Sequence, residues 1–132
     1  MKSWILVLFA VGSVTIVDVV DNKVILLHHR RACLRQEGLS EDAFPTDEVH
    51  EIFTTMFQLE SEQVPHETKC FLRCWLKRAL IIGDHFTILK KRPGTDGICE
   101  GAARVAARGD ECEFAFAYQK CDHSHAIHEF DY

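Results

Sequence analysis

Six cysteines follow an apolar N-terminal segment, and this combination restricts the fold more than any other feature of the sequence. The apolar run extends over 14 residues from Trp4 to Val17, after the basic Lys2 and before Asp18. A bilayer-spanning helix needs about 20 apolar residues, so this shorter run fits the apolar region of a secretory signal peptide. We expect residues 1–20 to be a signal peptide, cleaved between residues 17 and 23, and the mature chain to be secreted and extracellular. A buried N-terminal helix and an uncleaved membrane anchor are the alternatives.

The rest of the chain, residues 21–132, has the length and composition of one globular domain. Hydrophobic residues make up 47% of the sequence, which argues against disorder. The formal net charge is −5, and this charge argues against nucleic acid as a partner, since phosphate backbones are bound by Lys and Arg. An even number of cysteines in a small exported domain predicts a disulfide framework, and six cysteines can pair in many ways.

Apolar residues recur at helical spacing through this domain, and no run alternates with the period of a strand. The stripe formed by Val49, Ile52, Phe53, Met56 and Phe57 is the clearest example. We predict helices at residues 24–36, 65–82, 98–108 and 111–128, and a helix over the stripe 49–57 that Thr46 can cap, with Asp47 and Glu48 at its start. A short sixth helix is predicted at 86–94, and a turn at 95–97. The predicted fold is an all-α compact bundle of five to six helices. The first helix is expected to stop at Gly38, and Asp110 to open the last helix.

The positions of the cysteines on these helices restrict their partners. Cys70 and Cys74 lie one turn apart on one face of a helix and are poorly placed to pair with each other. Cys112 and Cys121 lie on opposite sides of the last helix, so two different elements must hold that helix. Three bridges between helices, each worth about 2–4 kcal/mol, would allow a small domain to keep a hollow interior. A zinc site at Cys70 and Cys74 is the alternative, and the lack of C-x-x-C pairs argues against it.

Two of the cysteine intervals form a recognisable pattern. Three residues separate Cys70 from Cys74, and eight separate Cys112 from Cys121, in the segments KCFLRC and CEFAFAYQKC. With the N-terminal signal, these segments resemble the insect odorant-binding proteins, the pheromone- and general-odorant-binding family, over residues 32–122. The resemblance implies three interlocked disulfides, which are Cys33–Cys74, Cys70–Cys112 and Cys99–Cys121.

Two intervals depart from the family pattern. The 36 residues between Cys33 and Cys70 are more than usual, and the 24 residues between Cys74 and Cys99 are fewer. The shorter interval removes part of a segment that forms a wall of the pocket in the family. This departure affects the expected size of the pocket and the class of ligand more than the fold.

The function that the resemblance implies is that of a secreted carrier, which binds a small hydrophobic ligand such as an odorant or pheromone in an internal apolar cavity and transports it to receptors. The residues expected to line the cavity are Phe53, Met56, Phe57, Trp75, Leu76, Leu80, Phe114, Ala115, Tyr118 and Phe130. An ordinary filled core of the same residues is the alternative. The resemblance also suggests that protonated histidines in the C-terminal tail release the ligand. A membrane chemoreceptor is the expected protein partner, and the chain is expected to be a monomer or weak homodimer.

Other functional classes find less support in the sequence. No nucleophile elbow, H-E-x-x-H or phosphate-binding loop occurs, so we expect no enzymatic activity, no metal and no cofactor. A saposin-like domain would have cysteine pairs near both termini, which this chain lacks. A secreted disulfide-rich effector of venom or saliva, acting by ligand sequestration or protein contact, is the second hypothesis.

Overall fold

The computed structural model describes residues 24–90 and 96–130, except for the side chains of residues 96 and 126–130. The helices of this part of the chain are α1 (residues 24–36), α2 (Val49–Phe57), a 3-10 turn (Ser61–Gln63), α3 (His66–Arg78), α4 (Asp96–Ala107) and α5 (Glu111–Phe130). The all-α prediction is confirmed, since these residues form no strand beyond one isolated β-bridge. None of these helices combines the length and apolar character that a bilayer crossing requires. The expected signal peptide, residues 1–20, lies outside the described residues.

The end of α1 depends on Gly38, as predicted. The N–H of Leu39 donates to the carbonyl of Leu34 at 2.8 Å, and the N–H of Gly38 donates to the carbonyl of Arg35 at 3.2 Å. These two bonds form a Schellman motif, which satisfies carbonyl groups left free at a helix end. The motif requires a left-handed residue, and Gly38 provides it with a φ of 69°.

α2 begins at Val49, later than the sequence predicts. The hydroxyl of Thr46 accepts a hydrogen bond from the N–H of Glu48 at 3.1 Å. Thr46 therefore caps the turn that leads into α2, not the helix itself. The predicted apolar stripe is the inner face of the helix, because Ile52, Met56 and Phe57 are buried.

α3 ends at Arg78, four residues before the predicted end at Ile82. A second Schellman motif closes it: the N–H of Ile81 donates to the carbonyl of Leu76 at 2.9 Å, and the N–H of Leu80 donates to that of Lys77 at 3.1 Å. Leu80 takes the left-handed position of this motif with a φ of 59°. Leucine is not a helix-stop residue, so the sequence carried no signal for this end.

Residues 86–90 belong to a tight turn and not to the short helix predicted at 86–94, so that prediction is wrong for these five residues. Ile82 and Ile88 form an antiparallel β-bridge, and both side chains are buried. His85 and Phe86 lie between them with positive φ values of 57° and 60°. The turn therefore places both isoleucines in the core, which a helix through the same residues could not do. The predicted turn at 95–97 is also wrong at its end, because α4 already begins at Asp96.

α5 packs against α3 and α4. Its start is confirmed: the carboxylate of Asp110 accepts the N–H groups of Cys112 at 2.8 Å and Glu113 at 3.1 Å, which caps the helix. Phe114, Ala115 and Tyr118, three of the residues expected to line the cavity, are buried, and Phe116 is buried as well.

Three disulfides join the helices in the pairing that the resemblance implies. Cys33–Cys74 joins α1 to α3, Cys70–Cys112 joins α3 to α5, and Cys99–Cys121 joins α4 to α5. The two cysteines of α5 therefore reach different elements, as their opposite positions on the helix predicted. Each bridge closes a loop of 22 to 42 residues, for which a restricted unfolded chain gives about 3–4 kcal/mol of stabilisation.

A buried ion pair joins the same region of α3 and α5. The side chain of Lys69 is 5% exposed, and its Nζ donates to both carboxylate oxygens of Glu113 at 2.8 and 3.0 Å. Nζ also donates to the carbonyl and the hydroxyl of Ser61, each at 2.9 Å. All three protons of the ammonium group thus have acceptors, which offsets the cost of burying its charge.

Candidate functional site

An apolar groove lies between α1 and α2 and has a volume of about 530 Å³. Phe53 and Trp75 form its floor, with their rings edge to face and the centroids 6.1 Å apart. Leu26 and Leu27 of α1 form one wall, and Val49 lies at the start of α2. The leucines are 49% and 40% exposed, so the wall presents apolar surface to the groove and to solvent. Small-molecule sites usually have volumes of about 300–1,000 Å³ and mostly apolar linings, and this groove fits both criteria.

Charged and polar groups lie along the same groove. Asp47, Glu48 and His50 contribute to its lining and are all exposed. The carboxylate of Asp47 is 80% exposed and lies 3.5 Å from the guanidinium of Arg30 in α1. The groove therefore combines an apolar floor with a polar rim, which is an arrangement suited to an amphipathic small molecule.

Buried contacts fix the two sides of the groove relative to each other. Arg30 is buried and donates from its guanidinium to the carbonyl of Glu41 at 3.0 Å, which joins α1 to the segment before α2. The disulfide Cys33–Cys74 joins α1 to α3 next to Trp75. A groove with fixed walls loses little conformational entropy when a ligand binds.

The ring of His29 packs against Trp75 of the groove floor. Its ring meets that of Trp75 edge to face with the centroids 5.9 Å apart, and its Nδ1 accepts a hydrogen bond from Nε of Arg78 at 2.9 Å. Partial burial lowers the pKa of His29, and the nearby charges of Arg78 and His28 lower it further. The neutral imidazole is therefore the form that fits this contact, because Arg78 donates to it.

The residues predicted to line one cavity are distributed over several places in the structure. Phe53 and Trp75 line the groove, and Met56 lines a separate cleft of about 170 Å³ beside the loop that precedes α2. The buried core contains Phe57, Leu76, Phe114, Ala115 and Tyr118. The side chain of Phe130 lies outside the described residues.

Within the core, the predicted residues of α5 contact other side chains. The rings of Phe114 and Tyr118 stack with centroids 6.2 Å apart, and Phe86 meets Phe114 edge to face at 5.3 Å. The expectation that Leu80 faces the interior is wrong, since its side chain is 69% exposed. The early end of α3 turns Leu80 outward, because the helical register that would have buried it stops at Arg78.

Of the eight residues that line the groove, Phe53 and Trp75 were predicted as site residues, and the other six, Leu26 and Leu27 among them, were not. The signal was present in the four consecutive apolar residues from Val24 to Leu27, which are more than one face of a helix can bury. All four are exposed in the described structure. Such a surplus at the start of a helix indicates a wall that is open to a ligand or a partner.

A second, more polar cleft of about 550 Å³ lies at the start of α5. His66, Arg73 and His85 line it, together with Cys112. Arg73 donates to the carboxylate of Glu111 at 2.6 Å, and the same carboxylate accepts the backbone N–H of His85 at 2.8 Å. This cleft shares no residue with the groove.

Comparisons of the chain with protein-family models, with curated proteins and with solved structures find no match.

Proposed function

We propose that this chain is a secreted carrier that binds small hydrophobic molecules, of the odorant or pheromone type, and transports them through aqueous fluid to a receptor. The observation that carries the proposal is the groove between α1 and α2, with the paired rings of Phe53 and Trp75 as its floor. The resemblance of the cysteine pattern to insect odorant-binding proteins supports the same function. The groove, and not the packed core around Phe114, is the site proposed for the ligand.

The rim of the groove favours one class of ligand over another. The carboxylates of Asp47 and Glu48 can accept a hydrogen bond from an alcohol but would repel the carboxylate of a fatty acid. We therefore expect apolar alcohols to bind more tightly than fatty acids of the same length. At roughly 0.5 kcal/mol per heavy atom, a ligand of about 15 heavy atoms would bind with a Kd of about 1–10 µM.

Fluorescence of Trp75 provides a direct test. The sequence contains two tryptophans, and Trp4 lies in the expected signal peptide, so Trp75 is the only tryptophan of the expected mature chain. Titration with a panel of long-chain alcohols, esters, terpenes and fatty acids should change its emission, because the ligand would contact its ring. Native mass spectrometry of the same mixtures gives the stoichiometry independently.

A matched pair of variants locates the site. Leu27→Asp places a carboxylate in the groove wall and should weaken binding at least tenfold, which is a loss of about 1.4 kcal/mol. Val105→Asp introduces the same charge on α4 at a position that is 79% exposed and outside the groove, and it should leave binding unchanged. Equal affinities for both variants and the parent chain would rule out the groove as the site. Failure of the parent chain to bind any member of the panel would rule out the carrier function and leave the hypothesis of an effector that acts by protein contact.

A further inference from the structure

One of the three disulfides is more accessible than the other two. Both cysteines of Cys33–Cys74 are buried, and Cys99–Cys121 combines a fully buried Cys99 with a partly buried Cys121. By contrast, Cys70 and Cys112 are both only partly buried. A thiolate can reduce a disulfide only if it can approach one of the sulfurs, so exposure selects which bridge reacts. Access therefore favours Cys70–Cys112.

The surroundings of Cys112 offer a route to this disulfide. Cys112 lines the polar cleft at the start of α5, which is open to solvent, so a small thiol can approach Cys112 there. His66, Arg73 and His85 also line this cleft, while the carboxylates of Asp110 and Glu111 offset part of their positive charge. A small thiol that enters the cleft reaches Cys112 before Cys70, since Cys70 is not part of the lining.

His66 lies against the other sulfur of the bridge. Its Nδ1 and Nε2 are 3.7 and 3.8 Å from Sγ of Cys70. Nε2 is also 2.9 Å from the carboxylate of Asp110, which holds the ring at the start of α5. His66 is thus placed to stabilise and protonate a thiolate that forms at Cys70.

We propose that Cys70–Cys112 is a site of thiol–disulfide exchange with small thiols of the glutathione class. The thiolate attacks Sγ of Cys112 and forms a new S–S bond, and the electron pair of the Cys70–Cys112 bond passes to Sγ of Cys70. Protonated His66 gives its proton to that sulfur. A second thiolate attacks the mixed disulfide, releases the oxidised thiol and leaves both cysteines reduced. The exchange removes the disulfide between α3 and α5 and leaves the other two disulfides intact.

Partial reduction of the full oxidised chain tests this assignment. The protein is incubated with reduced glutathione in native buffer, quenched with N-ethylmaleimide at intervals, and mapped by peptide mass spectrometry. The expected first products carry glutathione on Cys112 and N-ethylmaleimide on Cys70, before the other two bridges react. Simultaneous reaction of all three bridges, earlier reaction of Cys99–Cys121, or glutathione first on Cys70 would overturn the proposal.

Two variants separate the role of His66 from a general effect on the fold. His66→Gln should slow the first exchange about tenfold, somewhat below the usual gain from an acid catalyst because the histidine is half exposed. A variant that merely loosened the fold would speed reduction. The matched control is His125→Gln, since His125 lies close to Cys99 and Cys121 in the same way, and it should not change the rate at Cys112. An unchanged or faster rate in His66→Gln would overturn the assigned role of His66.

Discussion

Loss of the Glu113 carboxylate should destabilise the fold by about 2–3 kcal/mol. Lys69 is buried, and its ammonium group would keep only the two oxygens of Ser61 as acceptors in Glu113→Ala. Removal of one partner from a buried ion pair costs about 3–5 kcal/mol, since it leaves an uncompensated charge. The side chain of Glu113 is 27% exposed, so water can replace part of the lost contact and the expected cost is lower.

Urea unfolding with the disulfides intact measures this cost. For a domain of this size, with a dependence of about 1–2 kcal/mol per M of urea, the midpoint should fall by about 1–3 M. Far-UV circular dichroism and the fluorescence of Trp75 should give the same midpoint if unfolding is two-state. The control is Glu41→Gln, which removes an ion pair between Glu41 and Arg31. The side chain of Glu41 is 75% exposed and that of Arg31 is 64% exposed. That change should cost less than about 0.5 kcal/mol.

The double variant Lys69→Met with Glu113→Ala tests whether the unpaired charge of Lys69 causes the loss of stability. Because it removes the buried charge together with its partner, it should be more stable than Glu113→Ala alone. The argument would be refuted if Glu113→Ala cost no more than Glu41→Gln, or if Lys69→Met added a further loss on top of Glu113→Ala. Either result would mean that the ammonium group of Lys69 is already solvated in the native state.

Two further predictions concern pH and glycine. The pKa of His29 is lowered in the folded state, so its contribution to stability is present above the ordinary value of 6.5 and is lost as the pH falls through the lower folded value. Between pH 7.5 and pH 5, the free energy of unfolding should therefore drop less in His29→Gln than in the parent chain. An equal drop in the two proteins would contradict this prediction. Gly38→Ala should destabilise by about 1 kcal/mol, because alanine is strained at a φ of 69° although the space for a Cβ is open. Gly101→Ala, at an exposed and equally open position within α4, should stabilise by about 0.5–1 kcal/mol, and thermal unfolding that gave both changes the same sign would refute the argument.

Local signals predicted the helix ends where a residue acts on its own backbone. Gly38 ends α1 because only glycine adopts the left-handed position without strain, and Asp110 starts α5 because its carboxylate accepts two backbone N–H groups. Such effects involve only a few neighbouring residues, so they can be inferred without the fold. The cysteine positions were informative for a similar reason, because helical geometry alone separates Cys112 from Cys121.

Helix ends that depend on distant packing were not predictable in this way. α3 stops at Arg78 with Leu80 in a strained left-handed conformation, and no residue there is a stop signal. The gain comes from Ile82 and Ile88, which pair across a turn and are both buried. Burial of the two isoleucines, at about 1.5–3 kcal/mol each, offsets the strain of the left-handed residues Leu80, His85 and Phe86, at about 1–2 kcal/mol each.

The location of the groove also depends on packing between segments that are distant in the sequence. Helical periodicity shows which face of α2 or α5 turns inward, but not whether that face meets a neighbouring helix or open space. Phe114 and Tyr118 stack within the buried core, whereas Phe53 and Trp75, which also contact each other, line the groove beside α1. The apolar walls of the groove come from α1, which is distant from Trp75 in the sequence.

Spacing and the chemistry of single residues specify the all-helical character, the caps at Gly38 and Asp110, and cysteine positions that require α3 and α5 each to be joined to two other elements. The assembled fold sets the end of α3, the division of the aromatic side chains between core and groove, and the partial exposure of both cysteines of Cys70–Cys112. These properties depend on contacts between segments far apart in the chain, and the free energy of burial that selects among them is shared over the whole fold.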